Sequence, residues 1–179
     1  MKLPEAFNLE AWIERNIPDS QDAIRNRELF KESDHIFQVI KGPTVRNDYH
    51  FDIWDEIFYQ LHGHMFLHTI EDGKAVCHRI NEGEIFHLPK NTFHSPRRPA
   101  GAVTVVFERR REQDEEDATA WFCENCGNML HIARYWMGDI EKDGKQLIAE
   151  FNANEHLRTC KQCAAVLPDP TATPEWTGE

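Results

Sequence analysis

Four cysteines and a few histidines and carboxylates hold the chemistry that this sequence offers. Cys123-Glu124-Asn125-Cys126 and Cys160-Lys161-Gln162-Cys163 are two Cys-x-x-Cys knuckles with 33 residues between them. Four thiolates so arranged form a tetrahedral sulfur site for iron or zinc, and a closed set of four leaves no open position, so its expected role is structural. Gly127 follows the first pair and eases its turn. The fifth cysteine, Cys77, has no such partner and is expected buried or half-buried in a strand. Upstream, His50, Glu56 and His94 offer two imidazoles and one carboxylate. On one face of a metal, that set leaves the remaining positions free for a small molecule and O2 to bind ferrous iron side by side. Asp52 rivals Glu56, because in a regular strand it shares a face with His50. The other histidines match no motif and are expected to be ordinary surface or core residues.

These ligands need a scaffold, and the apolar pattern supplies short strands. His35 to Ile40 is a β-type run stopped by Gly42-Pro43. Ile57 to Leu61 and Met65 to Ile70 flank Gly63. Asp72-Gly73 is a hairpin signal before Ala75 to Ile80. Asn81-Glu82-Gly83 turns the chain into Ile85 to Leu88, and Ala102 to Phe107 reads as a last apolar strand. Short strands with Gly-marked turns predict a mainly β fold, a β-barrel or double-sheet jelly roll. Before it, Leu9, Trp12 and Ile13 share one face of a short helix that Asn8 can cap and Pro18 ends. The acidic run Glu112 to Asp117 reads as a solvated linker. It divides a catalytic barrel with an N-terminal arm (1–112) from a cysteine-bearing extension (113–179) packed on the same domain. A helix is expected near Lys145 to Leu157, and an extended tail from Pro168.

Composition narrows the function classes. The 179 residues are 40% apolar, enough for a core, and carry a net charge of −11. Phosphate backbones demand a basic surface, so nucleic acid is not an expected partner. No apolar run approaches the roughly 20 residues of a membrane helix. Met1 to Glu10 lacks a signal-peptide pattern, and a cytoplasmic location follows as the expectation. There, cysteines favour metals over disulfides. An anionic small substrate would need a local positive pocket.

Glu56 followed after six residues by Gly63 resembles the first motif of the cupins. Gly83, Pro89, Asn91 and His94 resemble the second. One departure stands out: where a typical cupin has His-x-His, this chain has His50-Phe51-Asp52, one imidazole fewer. The likeness extends further, through Asn47-Asp48-Tyr49-His50, Glu56 to Leu61, Leu88-Pro89, His94-Ser95-Pro96-Arg97-Arg98-Pro99, Glu108-Arg109 and the cysteine pairs. Together these resemble the 3-hydroxyanthranilate 3,4-dioxygenase family over roughly residues 7 to 165. The resemblance selects Glu56 over Asp52 and implies a cupin barrel with Fe(II) on His50, Glu56 and His94. It also implies a rubredoxin-like module holding iron or zinc on Cys123, Cys126, Cys160 and Cys163. Arg46 and Arg98 match positions that hold the substrate carboxylate, Glu108 a catalytic proton acceptor beside the amino and hydroxyl groups, and Asn26 an N-terminal contact. The implied reaction is O2-dependent ring opening of 3-hydroxyanthranilate by a homodimer. Two alternatives stand: a related cupin oxygenase acting on another substituted 2-aminophenol or catechol, which without a carboxylate would waste both arginines, and a non-catalytic cupin whose cysteine module binds a partner, which would leave the triad without a use.

Overall fold

Alternation along each strand decides which side chains face inward. In a computed structural model describing residues 5–18 and 26–170, α1 (Leu9–Asn16) is followed by β1 (Asn26–Glu28), β2 (His35–Lys41), β3 (Tyr49–Phe51) and β4 (Glu56–His62). Then come β5 (His64–Glu71), β6 (Lys74–Asn81), β7 (Ile85–Leu88), β8 (Phe93–Arg97) and β9 (Val103–Arg109). The chain continues through β10 (Glu116–Phe122), β11 (Met129–Trp136), α2 (Lys145–Asn152) and α3 (Glu155–Arg158). The strands form two antiparallel sheets, ordered β1-β2-β9-β4-β7 and β11-β10-β3-β8-β5-β6. This is the mainly β double-sheet fold that the sequence predicted. No helix among the described residues is long and apolar enough to cross a membrane.

Along β4, Glu56, Phe58 and Gln60 point in, while Ile57 and Tyr59 point out. Phe58 joins Met65, Leu67, Ile80, Leu88 and Val106 in the core between the sheets. On the outer face, α1 covers β2 and β9 through Ile13 and Ile17, which pack with Val39, Val103 and Val105. Asn8 caps that helix as predicted, its Oδ1 accepting from the Ala11 amide at 2.9 Å. The β5–β6 hairpin closes at Asp72 and Gly73, both in the left-handed region at φ 49° and 76°, the geometry that a two-residue turn needs. Cys77 lies exposed on β6, contrary to the expectation of burial.

Three corrections fall in the second half. The strand ending near residue 109 is not the last. The acidic run is a solvent-facing turn only as far as Glu115: Glu116 begins β10, Asp117 is fully buried, and β10 pairs with β3 through Thr119 opposite His50. The barrel sheet therefore continues past residue 112. The expected helix over 145–157 breaks at Ala153, and Asn154 caps α3. Trp121 stacks on Phe151 at 4.1 Å, and with Leu167 they make a small core that fastens the extension to the sheet. The expected tail beyond residue 170 lies outside the described residues.

Candidate active site

Register builds the centre. His50 of β3 sits directly opposite His94 of β8 in one sheet, and Glu56 of β4 opposite Glu108 of β9 in the other. The two pairs face each other across the barrel. Like charges directly opposite on paired strands destabilise a sheet, so two buried carboxylates in that register call for cations. His94 Nε2 lies 2.9 Å from Glu56 Oε1, and His50 Nδ1 lies 3.7 Å from the same oxygen.

The protons are on the far sides of both rings. His94 Nδ1 is 3.0 Å from the Thr92 carbonyl, which can only accept, so Nδ1 carries the hydrogen. His50 Nε2 is 2.7 Å from Asp117 Oδ2, which also accepts from Arg111, so Nε2 carries its hydrogen. With both rings neutral, as metal binding requires, two lone pairs and one carboxylate oxygen converge, and Glu56 Oε1 is buried without a hydrogen-bond donor among the described residues. A divalent metal resolves this conflict. Bonds of about 2.1 Å at right angles set neighbouring ligand atoms about 3 Å apart, close to the 2.9 Å between His94 and Glu56. Protons compete for the same lone pairs. Although burial disfavours an imidazolium, Asp117 and Glu56 hold His50 well above its ordinary pKa. Burial likewise opposes ionisation of Glu56, yet His94 and His50 keep its carboxyl well below the usual range.

Asn26, Arg46, His50, Glu56, His94, Arg98 and Glu108 all line one cavity of about 280 Å³. That is at the small end for ligand sites and suits a single-ring molecule. Phe58, Val106, Met137, Ile140 and Ile148 supply apolar walls. Asp52, the rival ligand, is not among the cavity-lining residues. Its Oδ2 lies 2.7 Å from Arg111 Nη2, so the cation facing it is already a guanidinium. Burial, only partly offset by Arg111, pushes the Asp52 carboxyl up to about 8.

The two cavity arginines differ. Arg46 is held by Asp48 through both carboxylate oxygens. Arg98 is buried, donates from Nε to Thr104 at 2.7 Å, and leaves Nη2 without a partner among the described residues. Burial first, then the like charge of Arg46, lower its pKa to about 9. An anion in the cavity would relieve both effects. Glu108 accepts from Gln38 Nε2 at 2.9 Å and from Arg111, and burial raises its pKa. Asn26 donates from Nδ2 to the Ile140 carbonyl at 3.0 Å, tying β1 to the loop over the cavity.

The four predicted cysteines come together at the far end of β10, with all four sulfurs within 4.8 Å of one another. Cys123 and Cys163 approach to 3.5 Å, Cys126 and Cys160 to 3.6 Å. A tetrahedron with bonds of about 2.3 Å has edges of about 3.8 Å, so the set fits one closed metal site. Each knuckle turns through a left-handed residue, Gly127 in the first and Ala164 in the second.

Sequence reasoning missed Arg111, Asp117 and Gln38. Arg111 stands in a run of three arginines, and Asp117 in an acidic run, both of which read as surface. An apolar stretch directly after Asp117 was the available signal for β10.

Comparison with known proteins gives the family. A protein from Bacillus thuringiensis named 3-hydroxyanthranilate 3,4-dioxygenase is 36% identical over 179 residues, covering 99% of both chains. One of the same name from Jannaschia is 37% identical, covering 96% of both. Among solved structures, a cupin-2 domain containing protein from Shewanella frigidimarina aligns with a TM-score of 0.46 at 17% identity, over 58% of this chain and 94% of that one. A family model described as 3-hydroxyanthranilic acid dioxygenase matches residues 1–152. On the full-length relatives and that match, the chain belongs to the 3-hydroxyanthranilic acid dioxygenase family.

Proposed function

We propose that this chain uses Fe(II) and O2 to open the ring of 3-hydroxyanthranilate between carbons 3 and 4, giving 2-amino-3-carboxymuconate semialdehyde in the kynurenine route of tryptophan breakdown. The observation that carries this reading is one cavity that joins a metal-type ligand set to a buried guanidinium whose Nη2 has no hydrogen-bond partner among the described residues. His50, Glu56 and His94 would hold the iron, which when bound supplies adjacent positions for the substrate's amino–hydroxyl pair and for O2. Arg98, with Arg46 beside it, binds the ring carboxylate in forked hydrogen bonds and so fixes which ring edge faces the metal. Glu108 accepts the proton that the substrate hydroxyl gives up at a carboxylate oxygen. Asn26 braces the loop bearing Ile140, and the apolar walls exclude water from the reacting edge. The four cysteines hold a second iron or zinc in a structural role. A cytoplasmic homodimer belongs to the same reading, supported by the exposed Ile57, Tyr59, Ile85 and Phe107 on the outer face of the first sheet.

The test is oxygen uptake by the iron-loaded protein with a panel of 2-aminophenols and catechols, with and without a ring carboxylate. Consumption of 3-hydroxyanthranilate well above the rest is expected. Equal rates on 2-aminophenol would move the assignment to a carboxylate-free substrate.

A further inference from the structure

The arginine that the cavity does not see ties its working parts together. The Arg111 side chain is fully buried. Its Nε and Nη2 donate to the two oxygens of Asp117, each at 2.8 Å, a forked pair. Nη1 donates to Glu108 Oε2 and, at 3.0 Å, to the Arg109 carbonyl. Nη2 also lies 2.7 Å from Asp52 Oδ2. Each contact leads onward. Asp117 holds the proton-bearing side of His50, so it sets that ring's orientation and turns Nδ1 towards Glu56. Glu108 enters the cavity with its other oxygen fixed by Gln38. Asp52 belongs to the turn between β3 and β4, where its Oδ1 accepts from the Trp54 amide at 2.7 Å and its carbonyl accepts from Asn91, three residues before His94.

We propose that Arg111 is a positioning residue: a single rigid guanidinium holds the orienter of His50 and the cavity carboxylate Glu108 in one frame, and so fixes a metal ligand relative to the proton acceptor. The inference rests on the reading of His50, Glu56 and His94 as a metal site. A planar fork suits the task because its donor directions are fixed relative to one another. Lysine would keep the charge but present a single point with rotatable hydrogens, unable to serve two carboxylates at set angles. Ordinary fold stability would have been met more simply by apolar residues here, since a buried ion network of this kind gains little over well-packed hydrophobic groups.

The experiment is a Co(II) titration of protein already loaded with zinc at the cysteines, followed by the visible d–d spectrum, for parent, Arg111→Lys, Asp117→Asn and Arg111→Lys/Asp117→Asn. Turnover with 3-hydroxyanthranilate is measured beside it on the iron-loaded forms. Parent protein that binds no Co(II) at the histidines overturns the metal-site reading itself. Given parental binding, Arg111→Lys is expected to weaken Co(II) by 10- to 100-fold, the usual cost of losing a group that orients a metal-bound histidine, and to shift the d–d bands. The double variant should be no weaker than Asp117→Asn alone, because both act through His50. Turnover should fall in kcat more than KM rises. Unchanged affinity and spectrum in folded Arg111→Lys overturn the proposal, as do fully additive losses in the double variant. If Arg111→Lys does not fold, Arg111→Gln combined with Asp52→Asn, which removes a stranded buried charge, takes its place in the same titration. Failure of that form to fold as well would make Arg111 structural and overturn the positioning role.

Discussion

Arg46 and Arg98 face one cavity but carry their charges differently. Arg46 already has Asp48, and removing it would strand a buried carboxylate. Among the described residues, the Arg98 guanidinium has a hydroxyl and no carboxylate for a hydrogen-bond partner. Arg98→Ala should therefore leave thermal stability unchanged or slightly raised while weakening 3-hydroxyanthranilate binding by roughly 2–4 kcal/mol, the range for truncating a buried charge pair. Arg46→Ala should lower both stability and affinity. Anaerobic binding titrations and melting curves of the two variants check this, with 2-aminophenol as the control that should bind Arg98→Ala as it binds the parent. The ligand choice gives a second prediction at this scale. Glu56→Ala should lose the histidine-site metal while keeping the cysteine metal, and Asp52→Ala should retain both, as read by metal analysis; iron lost from Asp52→Ala and kept by Glu56→Ala reverses the choice. His50, Glu56, His94 and the cavity arginines were legible because their spacing matched motifs. Arg111 was not, because its partners at positions 52, 108 and 117 meet only after three strands have paired, and such a network leaves no local pattern.

Strands were legible where one face is wet and the other dry. β4 and the β5–β6 hairpin show that alternation or carry a turn signal. β10 is buried on both faces from Asp117 to Trp121 and opens with acids, so neither period nor polarity marked it. β3 and β8 are short, three and five residues, and sit beside loops. The single helix expected over 145–157 became two because Ala153-Asn154 allowed Asn154 to cap a second start. β10 also links the two candidate metal centres, with Asp117 near its beginning and Cys123 just past its end. Cys123→Ser or Cys160→Ser should therefore reduce soluble yield and melting temperature, since metal binding and folding are coupled. A well-folded variant with full metal at the histidines and no turnover would instead give the cysteine site a part in the chemistry.

At the scale of the molecule, the first sheet is only partly covered. α1 shields the β2–β9 side, while Ile57, Tyr59, Ile85 and Phe107 stay open to solvent. Exposed apolar groups collected on one face mark an association surface more often than chance. Sedimentation at micromolar concentration should give twice the chain's 21.0 kDa, and a monomer there would overturn the homodimer.

Asn47, three residues before His50, is held at its amide by Asn152 and the Pro168 carbonyl, each at 2.9 Å, while its carbonyl oxygen takes the Trp121 indole N–H at 3.2 Å. This clasp has a consequence in time. Synthesis delivers His50, Glu56 and His94 early, but the groups that hold the His50 segment in place arrive only with residues 117 to 168. A chain halted at residue 112 should bind no iron at its histidines when isolated and assayed by metal analysis. On the proposed reading, metal capture at the three histidine-site ligands is expected to wait until the cysteine-bearing end has emerged and docked, among the last events in making this protein.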